Sequence, residues 1–255
     1  MEMTGNTILI TGGGSGIGRG LAEAFHGLGN QVILAGRRKG LLESVTAANP
    51  GMQSAMVDVQ DPASPRAFAR SMVEQYPSLN VLVNNAGIMK PENLREGAED
   101  LSAIEATVAT NLIAPLQLTL ALLPMLKKQR RATVMTVSSG LAFVPMAQTP
   151  TYCATKAAIH SWTQSLRYQL RGSSVEVLEV IPPYVQTELM GAHQTEDPRA
   201  MPLRDFIDEV MEILRTQPEA KEICVKRVYP LRYAAEQGKY QEMFERMNGA
   251  MSHAE

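Results

Sequence analysis

The chain has 255 residues, 45% hydrophobic and 20% charged, a composition that excludes disordered, collagen-like and coiled-coil architectures. Twenty-four Lys and Arg against 26 Asp and Glu leave a formal net charge of -2, so no overall field recruits nucleic acid or an acidic membrane. The two cysteines, Cys153 and Cys224, are too few for a disulfide scaffold or a zinc cluster and suit a reducing cytoplasm; no secretory signal pattern precedes the first apolar run.

Short aliphatic runs alternate with longer amphipathic segments up to about residue 180, the rhythm of repeated βαβ units. Strands are expected at Thr7 to Thr11, Gln31 to Ala35, Gln53 to Val59, Val81 to Asn84, Thr133 to Ser138, Val175 to Ile181 and Glu222 to Val228. Their near-continuous apolar character suits a parallel sheet covered on both faces. Helices are expected at Gly16 to Leu28, Leu41 to Ala48, Pro62 to Gln75, Ala98 to Lys128 and Tyr152 to Leu170, with Pro124 marking a kink or the end of the fourth. The most apolar helical stretch, Pro115 to Leu126, is read as too short to span a bilayer. Residues 188–204 are polar and proline-punctuated, either a substrate lid or a plain surface loop. Leu203 to Leu214 and "GKYQEMFERMNGAM" read as later helices. The expected fold is therefore α/β: a single-domain, Rossmann-type doubly wound parallel sheet of about seven strands spanning 1–255, with a C-terminal extension at 229–255.

"TILITGGGSGIGRGLAEAF" places a strand, a glycine-dense turn and a helix in succession, with Gly12, Gly16 and Gly18 spaced G-x3-G-x-G. Such glycines make a tight turn, let a pyrophosphate approach the backbone and open a helix N-terminus to negative charge; a mere strand-to-helix turn is the competing reading. No Gly-Lys-Ser/Thr ending marks a nucleoside triphosphatase. After the second strand, "VILAGRRKG" offers Arg37 and Arg38 where an acidic residue would hold an adenosine ribose. A guanidinium fork there favours a 2′-phosphate, hence NADP(H) over NAD(H), with Arg37 the leading contact and Arg38 its support; a solvated basic turn is the alternative. Asp58 is placed either against the adenine amino group or as a strand-end cap.

In "TYCATKAAIHSWTQSLRYQL", Tyr152 and Lys156 lie four residues apart and so share a helix face. Ser139 ends the preceding strand, where a parallel sheet presents ligand-binding groups.

Taken together, "TGGGSGIG", "NNAG" at Asn84 to Gly87, Asn111, Ser139 and "YCATK" resemble the short-chain dehydrogenase/reductase family, over about residues 5 to 190. "SGLAF", "LRGSSVEV" and the C-terminal "EICVKRVYPLRYAAEQGKYQEMFERMN" look most like its DltE-type oxidoreductases. The resemblance implies hydride transfer between nicotinamide and a ketone, aldehyde or secondary alcohol. Tyr152 is then the general acid or base, Lys156 the phenolate-stabilising and ribose-binding ammonium, Ser139 the substrate-oxygen donor, and Asn111 the holder of a relay water. It further implies cofactor contacts at Gly12, Ser15, Gly16, Ile17, Gly18, Val59, Asn85, Ala86, Gly87, Val185 and Thr187, while Asn84 braces the sheet through side-chain to backbone bonds. Pro183 stands where the family usually has glycine, so the turn after the sixth strand must differ.

Met89, Leu141, Phe143, Met146, Tyr184, Met190 and His193 are placed around an apolar substrate pocket. His160 reads as a packed or surface residue, and no metal site is expected. The expected partners are a small-molecule carbonyl or alcohol and a second copy of the chain through the two long central helices, a tetramer being the alternative, with neither nucleic acid nor membrane involved. A catalytically silent dinucleotide sensor or scaffold is the rival function, but it leaves the joint presence of Asn111, Ser139, Tyr152 and Lys156 without purpose.

Overall fold

A computed structural model describes residues 1–61, 64–95, 97 and 100–249. Seven strands, β1 (Thr7–Thr11), β2 (Gln31–Gly36), β3 (Gln53–Met56), β4 (Leu79–Asn84), β5 (Ala132–Val137), β6 (Val175–Ile181) and β7 (Glu222–Cys224), form one sheet in the order β3-β2-β1-β4-β5-β6-β7. Every neighbouring pair is parallel. Parallel pairing demands crossovers, and these are made by α1 (Gly16–Gly27), α2 (Lys39–Ala48), α3 (Ser64–Gln75), α4 (Ser102–Val108) running into α5 (Ala114–Leu126), α6 (Pro150–Gln169) and α7 (Leu203–Thr216). Two short helices, α8 (Tyr229–Arg232) and α9 (Tyr240–Asn248), follow β7.

Strand residues alternate between two cores, as the two-residue period requires. Ile8, Ile10, Val32 and Leu34 pack against α1, α2 and α7 through Leu21, Phe25, Leu42, Phe206 and Val210. Leu9, Ile33, Leu82 and Val134 point the other way, onto α3, α5 and α6 through Phe68, Met72, Leu118, Leu122 and Leu166. Strand order reverses at β1, which lies between β2 and β4, so the crevice beyond Thr11, Gly36 and Asn84 is where a doubly wound sheet receives a ligand.

Several boundaries differ from the sequence expectation. The third strand stops at Met56 because its partner β2 ends there: Val57 N–H makes a last bond to Gly36 O at 3.1 Å, leaving Asp58 and Val59 beyond the ladder. The seventh ends at Cys224, opposite Ile181, because Pro182 and Pro183 follow Ile181 and carry no N–H to extend the ladder; Lys226–Val228 turns into a 3₁₀ helix. The fourth helix begins at Ser102, where the Asp100 carboxylate accepts from Ser102 N–H at 2.8 Å and from its hydroxyl at 2.9 Å. Its expected start, Ala98, lies outside the described residues, as do Pro62 at the start of the third helix and residues 250–255. The fourth helix then runs unbroken for 25 residues to Leu126, through a π-helical turn at Ala109–Ile113, and Pro124 stands inside its last turn. It is thus longer than the Pro115 to Leu126 stretch suggested, and by length and composition it could cross a bilayer; here Leu118, Leu122 and Leu126 are core.

Residues 188–204 hold more structure than a plain loop. Ala192–Thr195 is a 3₁₀ turn, and Val185 forms a parallel bridge to Met201. The C-terminal extension packs back on the chain: Val228 and Leu231 crowd Gly140 so closely that a Cβ there would lie 2.8 Å from each side chain. Asn248 accepts from Ala147 N–H at 2.7 Å and donates to Pro145 O at 3.1 Å.

Candidate active site

The glycine turn opens directly from β1. Gly12 has φ +68°, and a Cβ on it would lie 2.9 Å from Ala86 Cα. On Gly18 a Cβ would stand 2.4 Å from both Asn85 Nδ2 and Gly12 O, so no other residue fits without moving backbone. Thr11 Oγ1 accepts from the amides of Asn85 at 3.0 Å and Ala86 at 3.1 Å, and Asn85 Nδ2 returns bonds to Thr11 O at 3.0 Å and Gly12 O at 3.4 Å. The side-chain to backbone bracing expected of Asn84 therefore falls to Asn85. Asn84, which ends β4 and points into the core, donates to Thr119 Oγ1 at 2.8 Å, a side chain and not backbone. The amides at the start of α1 have no side-chain cap and no acidic residue in the first turn, the electrostatics of an anion-binding helix end.

At the end of β2 the two arginines divide their partners. Arg38 Nη2 donates to Ser15 Oγ at 2.6 Å, reaching across to the glycine turn, whereas Arg37 faces Asp58 at 3.8 Å with both side chains exposed. Arg38, not Arg37, is thus the arginine that touches the turn. Asp58 accepts from Gln60 N–H at 3.0 Å, the strand-end capping alternative, and Val59 lines a groove of about 370 Å³ with Gln60, Ile104, Val108 and Ile113.

The catalytic candidates meet at the ends of β4 and β5. Ser139 and Tyr152 are both buried, and the Ser139 side chain acts on the phenol by favouring its ionised form, against the larger effect of burial. Lys156, one helical turn after Tyr152, is 5% exposed; its ammonium donates to Val137 O at 2.8 Å and lies 5.5 Å from the Tyr152 ring centroid. Burial holds the Tyr152 phenol well above the usual tyrosine range, so it is protonated. Burial also pushes Lys156 down to about 8, opposed by the charge of Glu179. Gly87 faces Asn111 and Lys156, since a Cβ on it would be 3.5 Å from Asn111 Oδ1 and 3.7 Å from Lys156 Nζ.

Asn111 sits in the π-turn and is 2% exposed. Its Oδ1 accepts from Ile88 N–H at 2.9 Å, and its Nδ2 donates to Ile88 O at 2.9 Å and Thr155 Oγ1 at 3.2 Å. Asn111, expected to hold a relay water, thus has its side chain tied to the β4 loop and to α6. Thr187 lies against Gly16, 3.3 Å from a Cβ placed there. Buried Gln194, which nothing in its polar stretch singles out, donates to Val185 O at 2.7 Å and Thr187 Oγ1 at 3.1 Å and accepts from Met190 N–H at 2.9 Å.

Among the pocket candidates, Met89, Leu141, Met146 and Met190 are half-buried, while His193 is exposed. Phe143 does not belong with them: the 3₁₀ turn Gly140–Ala142 carries it onto Ile181, Cys224 and Val228, with its ring 4.6 Å from His160 and Arg232 4.7 Å above it. The Tyr184 hydroxyl donates to Asp197 at 3.1 Å. Among the described residues one group, His160, Glu179 and Glu222, brings possible ligand atoms within 4.8 Å, but Arg232 already supplies its positive charge, bonding Glu222 at 2.6 and 3.1 Å.

This arrangement of glycine cradle and buried Ser, Tyr and Lys accords with the family match. The model of the short chain dehydrogenase family matches residues 6–198, and the chain belongs to that family of oxidoreductases. It is 42% identical over 251 residues to the uncharacterized oxidoreductase DltE of Bacillus subtilis (strain 168), covering 97% of this chain and 98% of that one. A short-chain dehydrogenase from Sphingobium yanoikuyae in complex with NADPH superposes with TM-score 0.79 at 25% identity, covering 98% of this chain and 96% of that one. One from Burkholderia phymatum in complex with NAD gives TM-score 0.79 at 22% identity, covering 94% and 96%.

The buried lysine has a thermodynamic signature. In the unfolded chain its ammonium keeps its proton up to about 10.5, whereas in the folded protein it releases it near 8. Between those values the unfolded state binds more protons, so folding stability at this site rises with pH. Lys156→Met is expected to exceed the wild type in unfolding free energy by the widest margin below pH 8, the gap narrowing by about 2–3 kcal/mol toward pH 10. Urea titrations of both proteins from pH 6 to pH 10 measure it, and a gap that does not change with pH contradicts the buried ammonium.

Proposed function

We propose that the chain is an NADP(H)-dependent oxidoreductase interconverting a ketone or aldehyde and a secondary or primary alcohol. The observation that carries this reading is the joint burial of Ser139, Tyr152 and Lys156, with the Lys156 ammonium 5.5 Å from the Tyr152 ring centroid, at the C-terminal edge of a sheet whose glycine turn cannot accept a Cβ at Gly18. The residues fit a dinucleotide: the cradle of Gly12, Gly16, Ile17 and Gly18 for the pyrophosphate, Arg38 with Arg37 and Ser15 for a 2′-phosphate, Asp58 and Val59 for adenine, Asn85, Ala86 and Gly87 along the adenosine ribose, and Val185 and Thr187 toward the carboxamide. When bound, the nicotinamide supplies or accepts the hydride.

The chain's own groups manage the oxygen and the proton. Ser139 holds the substrate oxygen and shares its developing negative charge. Tyr152, kept protonated by burial, gives its phenolic proton to that oxygen in reduction and takes it back in oxidation. The Lys156 ammonium stabilises the resulting phenolate through the short distance and dry surroundings, and binds the nicotinamide ribose. With the Asn111 side chain engaged by Ile88 and Thr155, its part is to fix the β4 loop against α6; a relay water there would have to use main-chain groups. The whole chain, with residues 188–204 as the substrate lid and the C-terminal extension behind it, acts as one domain on this reading.

A homodimer is part of the proposal. The long α4–α5 helix and α6 leave Ile113 42%, Leu120 58% and Tyr168 66% exposed, an apolar face suited to a second copy.

Screening aldehydes, ketones and diketones with NADPH tests the reading directly. Tyr152→Phe is expected to lower kcat by more than about 100-fold while NADPH affinity stays within about threefold, because only the proton is removed; retained turnover refutes the assigned role. Arg38→Ala is expected to cut the preference of kcat/KM for NADPH over NADH about tenfold, the loss of one charge-assisted contact; a wild type preferring NADH overturns the NADP(H) assignment. Leu120→Glu is expected to convert the dimer to a monomer in light scattering, and a wild type that is monomeric rejects the assembly.

A further inference from the structure

Ser139 and Tyr152 are joined by a stretch of chain that leaves the end of β5 and enters the first turn of α6. Its one regular element before α6 is the 3₁₀ turn Gly140–Ala142, so its course depends on what grips it. Bonds within the stretch are short-range: Leu141 N–H donates to Ser139 Oγ at 3.1 Å, and Thr149 N–H to Met146 O at 3.0 Å. The C-terminal extension meets it at three places, in the same order along both segments. Val228 and Leu231 press on Gly140, the Arg232 guanidinium lies 4.7 Å from the Phe143 ring centroid, and Asn248 bonds Pro145 and Ala147. Arg232 is itself held by Glu222 of β7 at 2.6 and 3.1 Å, which anchors the first two contacts to the sheet.

The third contact has a different character. α9 has nine residues, too few for a stable helix in water alone, and none of them is buried; Met243, Phe244 and Met247 are half-buried. Its last residue, Asn248, offers an acceptor and a donor side by side. Oδ1 accepts from Ala147 N–H at 2.7 Å, while Nδ2 donates to Pro145 O at 3.1 Å and, back along its own helix, to Phe244 O at 2.9 Å. One carboxamide thus fixes the peptide groups on both flanks of Met146. From the other side Met146 is held by the residue after Tyr152: its N–H donates to Cys153 Sγ at 3.3 Å, and its carbonyl accepts from the same thiol at 3.6 Å. Met146 therefore sits between the helix that carries the phenol and the last helix of the chain, and its side chain is half-buried. A polarisable thioether in that place suits the apolar part of a carbonyl substrate.

We propose that Asn248 is a positioning residue that sets the substrate-facing wall at Met146, so that substrate binding depends on the C-terminal helix. The inference rests on the catalytic reading of Ser139 and Tyr152 and extends it to the side that receives the carbon skeleton of the substrate. The glycine turn takes its side-chain hydrogen bonds from Asn85 and Arg38 and, among the described residues, none from α9, so substrate and dinucleotide binding separate.

Asn248→Ala removes both bonds from a half-buried position on the last helix. In the full-length protein the Ala147 amide is expected to exchange with solvent about tenfold faster, the loss of its one side-chain acceptor. KM for a carbonyl substrate is expected to rise about fivefold, with kcat and NADPH affinity each within about twofold of the wild type. A loss of folded protein gives the opposite split, lowering kcat and leaving KM alone. Asn248→Asp keeps the acceptor for Ala147 N–H and loses the donor to Pro145 O; it is expected to retain the Ala147 protection and to fall between the wild type and Asn248→Ala in KM. An Ala147 amide that exchanges no faster in Asn248→Ala, or a KM that does not rise, overturns the proposal. A wild type that reduces no carbonyl refutes the catalytic reading instead, while exchange at Ala147 still decides whether Asn248 holds the segment.

Discussion

Placing a lysine ammonium out of water beside a phenol costs free energy, and much of the architecture around α6 offsets that cost. The ammonium is accepted by a main-chain carbonyl, Val137 O, at the exit of β5, and it senses one buried carboxylate from β6. Both come from strands whose positions are locked by parallel pairing, Val137 opposite Val180 and Thr136 opposite Glu179. The helix is pinned to the same two strands lower down, where the Thr136 and Thr163 hydroxyls meet at 2.9 Å and Leu166 enters the core. Since side chains four apart share a helix face, fixing the helix at Thr163 and His160 also fixes Lys156 and Tyr152. The Tyr152 and Lys156 end of the helix is held rigid by contacts further along it.

The glycine turn and α6 are joined through hydrogen bonds made by side chains, most of them to main-chain groups. Thr11 holds the amides of Asn85 and Ala86, and Asn85 returns its amide to Thr11 O and Gly12 O. Three residues on, both the N–H and C=O of Ile88 engage Asn111, whose amide also reaches Thr155, and the Thr155 hydroxyl donates to Tyr152 O at 2.7 Å. A continuous path therefore runs from the glycine turn to the backbone of Tyr152. The π-turn at Ala109–Ile113 has a reason in this context: an extra residue per turn re-aims the Asn111 side chain at the β4 loop within an otherwise regular helix. The rim is tied just as firmly, with Glu92 accepting from Thr151 N–H at 3.1 Å and Thr151 Oγ1 at 2.7 Å at the start of α6.

The segments after β5 and β6 are less regular, each held by a few specific bonds. Gln194 gathers Val185, Thr187 and Met190 into one turn, and Asn248 from the last helix grips Pro145 and Ala147.

Local chemistry made much of this protein legible from its sequence. Aliphatic strand runs, the glycine spacing after β1 and the Tyr-x3-Lys pair on a helix each express a backbone preference or a periodicity within a few residues, and the sheet, the cradle and the α6 face stand where those signals put them. What depended on partners distant in the chain was not legible. The lengths of β3 and β7 follow from where β2 ends and from the prolines after β6. That Asn85 and not Asn84 braces the turn follows from which one points at Thr11, the packing of Phe143 onto β6 and β7 from a 3₁₀ turn, and the contact of Arg38 with the glycine turn from its reach to Ser15. Glu179 and His160 are 19 positions apart, and no spacing rule connects a strand carboxylate to a helix imidazole. Only the packing of α6 across β5 and β6, decided by two cores closing at once, brings that pair together.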